Sequence, residues 1–202
     1  HLTAGITAAP GSLTLTEEGL SQNFNVTLSA KPDSDVVIDI ASGDTDVASI
    51  SPSQLTFTTT DWDQDKTVTV SPTDDTLIDG AANTSITLTV LNGSSDSNFH
   101  NETATVAVTT NDNDTPGFTV VVPKTELVDS GTDTSTFSLQ LTAQPASDVV
   151  IDVASSNEDL LTISTTELTF TSQDWNQNHD VIVTSVQDDT IDANRTANIV
   201  MT

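Results

Sequence analysis

The residues of this sequence best equipped for chemistry are its carboxylates, and they come in groups. The first half carries Glu17 with Glu18, Asp44 with Asp46, Asp74 and Asp75 with Asp79, and Asp112 with Asp114. The second half carries Asp129, Glu158 with Asp159, Asp188 with Asp189, and Asp192. No Lys or Arg stands in any of the first four groups. Carboxylates gathered without a counter-charge push each other's pKa upward. A hard divalent cation taking six to eight oxygen ligands relieves that repulsion, and Ca²⁺ suits clustered, flexible carboxylates better than Mg²⁺. Acids also collect in loops simply because loops are exposed. The Asp-Asp pair occurring in both halves shifts the weight toward calcium.

Other chemistries find little material. The three histidines, His1, His100 and His179, do not recur at equivalent positions, so they assemble neither a catalytic triad nor a zinc site. Paired carboxylates could serve a glycosidase, but aromatics are 4% of the chain and Tyr is absent, which leaves no sugar-binding cleft. The expectation is a protein that is not an enzyme. Asp61-Trp62-Asp63-Gln64-Asp65 has the spacing of an EF-hand opening, yet Lys66 stands where that loop needs glycine and no Glu occupies its twelfth position. Trp62 and Trp175 read as packing residues at a turn rather than as sugar platforms. Sequons such as Asn25-Val26-Thr27 and Asn101-Glu102-Thr103 are expected by chance at this Ser and Thr content.

The elements that must position the acids are strands. Val, Ile and Leu alternate with Thr and Ser, which is how a strand with one wet face reads. The pattern also repeats. Ser34-Asp35-Val36-Val37-Ile38-Asp39 returns as Ser147-Asp148-Val149-Val150-Ile151-Asp152, Leu55-Thr56-Phe57-Thr58 as Leu168-Thr169-Phe170-Thr171, and Asp61-Trp62 as Asp174-Trp175, 113 residues later each time. That period is one immunoglobulin-sized domain, far longer than a solenoid repeat. The sequence therefore predicts an all-β chain of two tandem Ig-like antiparallel β-sandwiches, residues 1–114 and 115–202. The second is expected to stop before its last strand, which would leave an exposed sheet edge. In the first copy strands are expected at about 12–16, 23–29, 36–41, 55–58, 67–71, 84–90 and 103–110. Their core would be Phe24, Val26, Leu28, Val37, Ile38, Ile40, Leu55, Phe57, Val68, Val70, Ile86, Leu88, Val106 and Val108. Strands running alternately up and down place the turns bearing Glu17, Asp44 and Asp74, together with the end of the last strand, at one pole. In the second copy the fourth contributor would lie past Thr202, so an incomplete site is expected there.

Composition agrees. Thirty Asp and Glu against four Lys and Arg give a net charge of −26. Such a chain has no electrostatic means of binding nucleic acid or an anionic membrane. The self-repulsion calls for a cationic partner. Without Cys there is neither a disulfide nor a thiolate metal site. No apolar run approaches the length of a membrane span.

Thr67-Val68-Thr69-Val70-Ser71-Pro72-Thr73-Asp74-Asp75, then Asp79 and Ile86-Thr87-Leu88-Thr89, resembles the core signature of Calx-β domains, as does Val106 to Asp114. The Leu55–Thr58 and Asp61-Trp62 elements resemble repeats of giant bacterial surface proteins. The Calx-β resemblance implies calcium held by Glu17, Asp74, Asp75, Asp112 and Asp114, while Asp79 matches a family Glu less well and Ala82 stands where another acid is often found. The expectation is thus a calcium-stabilised stalk of a bacterial cell-surface adhesin, extracellular, with neighbouring repeats and calcium as partners and the adhesive tip elsewhere in the parent. A linker pinned by the ion would stiffen the rod. Two alternatives stay open. One is a module binding host or surface glycans or proteins through the long loop 91–101. The other is a Calx-β calcium sensor of a transport protein.

Overall fold

The computed structural model describes residues 3–188, 190 and 193–202. The described residues are all-β apart from two 3-10 turns, Asn92–Ser94 and Ser97–Phe99. Among them no helix is long and apolar enough to cross a membrane. The chain divides into two compact units, one running to Asp75 and resuming at Asp79–Asn113, the other made of Thr76–Ile78 with Asp114–Thr202.

The first unit holds β1 (Ile6–Ala9), β2 (Ser12–Thr16), β3 (Gln22–Leu28), β4 (Val36–Ser42), β5 (Ala48–Ser51), β6 (Gln54–Phe57), β7 (Lys66–Pro72), β8 (Ala82–Val90) and β9 (Thr103–Asn111). They form two sheets, β1-β3-β7-β5 and β2-β9-β8-β4-β6. The inward faces pack Phe24, Val26, Val68 and Val70 against Val36, Ile38, Ile86, Leu88, Val106 and Val108, all fully or almost fully buried. Each such side chain stabilises the fold by roughly 1.5–3 kcal/mol relative to exposure. Val37 is only half-buried. Successive strand residues face opposite sides, so Val36, Ile38 and Ile40 take the core face and Val37 cannot join them. Leu13, Leu15, Leu28, Ala48, Leu55, Phe57, Val90 and Phe99 also belong to the core.

The expectation of a wholly antiparallel sandwich fails at one pair. β2 runs parallel to β9, from Ser12↔Ala107 to Thr16↔Asn111. The cause lies in Pro10, which has no N–H to give a ladder. β1 pairs with β3 only as far as Ala9. Beyond Pro10 and Gly11 the chain crosses to the other sheet. Parallel partners need a long connection, and β2 and β9 have the rest of the unit between them.

The second unit holds β10 (Phe118–Val121), β11 (Thr134–Leu141), β12 (Val149–Ser155), β13 (Leu161–Ile163), β14 (Glu167–Phe170), β15 (His179–Ser185) and β16 (Ile199–Met201). Its sheets are β10-β11-β15-β13 and β14-β12-β16. β12, β14 and β15 lie 113 residues after β4, β6 and β7, and Phe137, Leu139, Ile151, Val153, Phe170 and Val181 form the core.

Two turns explain motifs seen in the sequence. Asp61 Oδ1 accepts from the Thr58 N–H at 2.6 Å and from Thr58 Oγ1 at 2.9 Å, and Asp174 does the same for Thr171 at 2.6 and 2.7 Å. These acids are turn caps. Trp62 and Trp175 pack, partly buried, against their respective cores. Lys66 Nζ lies 4.9 Å from the centre of the Phe57 ring, and the His179 ring lies 4.2 Å from that of Phe170. In the segment 91–101, Asp96 is 4% exposed. Its carboxylate accepts from the backbone N–H groups of Asp33, of Ser34 at 3.1 Å and of Asn98 at 2.8 Å. The segment is thereby fastened onto the turn before β4.

Candidate metal centre

The parallel pairing builds the site. Because β2 and β9 run the same way, both end at the same pole. One further rung, Glu17 N to Asn111 O at 3.1 Å, extends the register past Thr16 and Asn111. Glu17 is therefore brought beside Asp112, Asn113 and Asp114. The turn that follows is tight: Gly19 N donates to Thr16 O at 2.7 Å, and a Cβ on Gly19 would stand 2.7 Å from that same oxygen. Only glycine fits without displacing backbone.

Glu17 is 8% exposed, and its Oε2 has no hydrogen-bond partner. A buried acceptor left unmatched costs free energy unless something satisfies it. Burial raises the pKa of Glu17 first of all. The Asn113 N–H opposes that shift, and the charges of Asp75, Asp112 and Asp79 add to it. The amide oxygen of Asn113 is likewise buried without a partner.

One carboxylate oxygen each from Glu17, Asp112 and Asp114 lies within 4.8 Å of the others. Two oxygens on one calcium, each about 2.3–2.6 Å from it, stand at most about 5 Å apart. The spacing, the unmatched buried oxygens and the acceptor-only donor set fit a hard cation. Glu17, Asp112 and Asp114 would hold it, and the Asn113 amide oxygen is a neutral ligand of the right type.

The loop between β7 and β8 closes on this group. The N–H groups of Asp79 and Gly80 both point to Asp112 Oδ2, at 3.0 and 2.9 Å. Gly80 adopts φ 83°, the left-handed conformation that lets successive N–H groups converge on one anion. Asp75 and Asp79 are exposed and reach Glu17 through their charge. Asp74 is exposed. Asp44 and Asp46 sit in the turn after β4, where Asp44 Oδ1 accepts from the Asp46 N–H at 3.0 Å. That turn is tied to the same pole through Thr73 Oγ1 to Thr45 O and Thr110 Oγ1 to Val47 O, but Asp44 and Asp46 stand outside the close group.

In the second unit Asp129 Oδ1 accepts from the Asp188 N–H at 3.1 Å, and Arg195 forms an ion pair with Asp188. Asp159 N bonds to Asn157 Oδ1 at 3.0 Å, repeating the Asp44–Asp46 turn, and Glu158 is exposed. Asp189 and Asp192 lie outside the described residues. Sequence reasoning passed over Asn113 and Arg195. Asn113 lies between two candidate acids, and Arg195 is the only arginine of the chain.

No family model matches the chain, and no curated protein matches it. Solved structures similar to it include the calcium binding domain CBD12 of CALX1.1, at 16% identity and TM-score 0.42, covering 87% of this chain and 74% of that one. CBD12 from CALX1.2 is similar at 13% identity and TM-score 0.41, covering 89% and 75%. So is the CsuC–CsuE chaperone–tip adhesion subunit complex of Acinetobacter baumannii, at 9% identity and TM-score 0.42, covering 98% of each chain.

Proposed function

We propose that this chain is a non-catalytic, calcium-stabilised pair of spacer modules from a bacterial cell-surface adhesin, holding an adhesive tip away from the cell. The observation that carries the calcium part is Glu17: a buried carboxylate with an unmatched oxygen, facing Asp112 and Asp114 across less than the span of one calcium coordination shell. An ion there would supply positive charge for these oxygens to coordinate, offsetting the burial and, after it, the repulsion that raise the pKa of Glu17. The residues of the chain do the rest. The β2–β9 register sets Glu17 against Asp112, and Gly80 aims the loop N–H groups at Asp112.

The spacer role is supported by the acidic, Cys-free, Thr-rich composition and by the repetition of strands at a domain-sized period. The resemblance to Calx-β domains and to surface-protein repeats points the same way. Extracellular modules bind calcium at roughly 0.1–1 mM. At a free concentration one hundred times Kd, an ion bound only by the folded state contributes about 2.7 kcal/mol.

The test is a thermal melt of the whole chain in millimolar Ca²⁺ and again in excess chelator. A rise of ten degrees or so (about 4–8 °C per kcal/mol for a unit near this size), abolished in Asp112→Asn, supports the reading. Identical melts in the two buffers remove it.

A further inference from the structure

We infer that the second unit carries its own cation: Arg195 neutralises the acidic pole of that unit in the place where the first unit leaves room for a metal ion.

The register makes the comparison. β8 pairs with β4 at Ile40↔Leu88, and β16 pairs with β12 at Val153↔Met201; both partners are displaced by the same 113 residues. Carrying the same offset back past the start of β16, Arg195, four residues before that strand, corresponds in sequence to Ala82. Ala82 opens β8 opposite Thr110, two residues before Asp112. At this position the first unit has a methyl group, and the second has a guanidinium.

The guanidinium is engaged. Arg195 Nη2 donates to Asp188 Oδ2, and the Thr190 N–H donates to Asp188 Oδ1 at 2.8 Å, so both oxygens of Asp188 are used. The Asp188 N–H is in turn bonded to Asp129. Charge-assisted bonds of this kind are among the stronger contacts available to a carboxylate. The electrostatic signs at the two poles differ accordingly. The Thr190 N–H and Arg195 hold the Asp188 carboxyl below its ordinary value, whereas Glu17 is pushed up. A guanidinium stays protonated at any ordinary pH. A divalent ion approaching Asp188 would have to displace a permanent positive charge and then sit beside it. Among the described residues of this pole, Asp129 and Asp188 therefore fit a metal poorly, and they are held together without one. This inference does not rest on calcium binding by the first unit.

The experiment uses the full chain with Trp62→Phe, so that Trp175 alone reports the unfolding of the second unit. With Arg195 present, the midpoint of that transition is expected to be the same in calcium and in chelator to within about 1 °C. Arg195→Ala is expected to lower it by about 2–6 °C in chelator, the scale of a partly exposed ion pair in a unit of this size. Arg195→Lys, which keeps the charge, is expected to recover most of the loss. A calcium-dependent rise of the Trp175 transition with Arg195 in place would overturn the inference. So would an Arg195→Ala midpoint unchanged in chelator. The companion chain with Trp175→Phe follows the first unit through Trp62. A missing calcium response there refutes the calcium reading and leaves the Arg195 result standing.

Discussion

Replacing Glu17 by Gln keeps the shape of the side chain and removes its charge, and the two ionic conditions should then move stability in opposite directions. Without metal, the folded-state pKa of Glu17 lies above its ordinary value of 4.5. The folded chain holds this proton more tightly than the unfolded chain, so the associated stability is present at low pH and is lost as pH rises through the folded pKa. At pH 7.5 in chelator the ionised carboxylate is a liability. Its oxygen and that of Asp112 lie within 4.8 Å of each other. At an effective dielectric of ~20, two unit charges at that separation repel by about 3.5 kcal/mol. Salt and the open side of the cluster reduce this to about 1 kcal/mol. Glu17→Gln should therefore raise the melting point of the first unit by roughly 4–8 °C in chelator. In calcium the same variant exchanges a charged ligand for a neutral amide oxygen and should melt lower than the wild type by a comparable or larger amount. The assay is differential scanning calorimetry of both chains in both buffers, repeated at pH 4, where the chelator advantage should shrink. If Glu17→Gln is destabilising in chelator and in calcium alike, Glu17 is a structural hydrogen-bonding residue and the electrostatic reasoning is wrong.

Asp96→Ala leaves the N–H groups of Asp33, Ser34 and Asn98 without their shared acceptor and should cost about 2–4 kcal/mol in urea unfolding, with amide exchange accelerating first in the segment 91–101. Asp61 is held at about 2 by its bond from Lys66, then by the Thr58 N–H. The stability that it contributes is present above the ordinary aspartate value and disappears as pH falls toward 2. Asp61→Asn should flatten the acid limb of a stability–pH curve over that window. Gly19→Ala puts a Cβ 2.7 Å from Thr16 O, so it should displace the turn and weaken calcium binding, read by titration calorimetry, by severalfold while leaving β-sheet circular dichroism unchanged.

Much of this architecture is legible in the residues. Alternation of Val and Ile with Thr marks the long strands within a residue or two, because one wet face forces a period of two. The 113-residue period carries through to the strand boundaries of both units. Glu17 and Asp112 stand out because each follows directly on a strand, and Asp114 lies two residues past Asp112. What escaped is mostly short or relational. β1 and β5 are four residues each and, unlike the equally short β6 with Leu55 and Phe57, carry no pair of large apolar residues facing the core. The parallel β2–β9 pair is a long-range choice that Pro10 and Gly11 hint at only as a break. Val37 is apolar on the wet side, and only the register excludes it from the core. The amide oxygen of Asn113 becomes a ligand candidate through burial alone, and Arg195 finds its role only once Ala82 is identified as its counterpart.

The β2–β9 pair has a mechanical meaning. The first and last strands of the five-stranded sheet's chain path lie side by side and point the same way. Tension entering at the start of β2 and leaving at the end of β9 pulls them along their length in opposite senses. The rungs from Ser12↔Ala107 to Thr16↔Asn111 then share the load at once and must break together, instead of opening one by one like a zip. Glu17 and Asp112 stand at the far end of those rungs, one on each strand. An ion held between them would act as a rivet across the seam that force must shear, so the resistance of such a module to pulling would rise with the calcium around it.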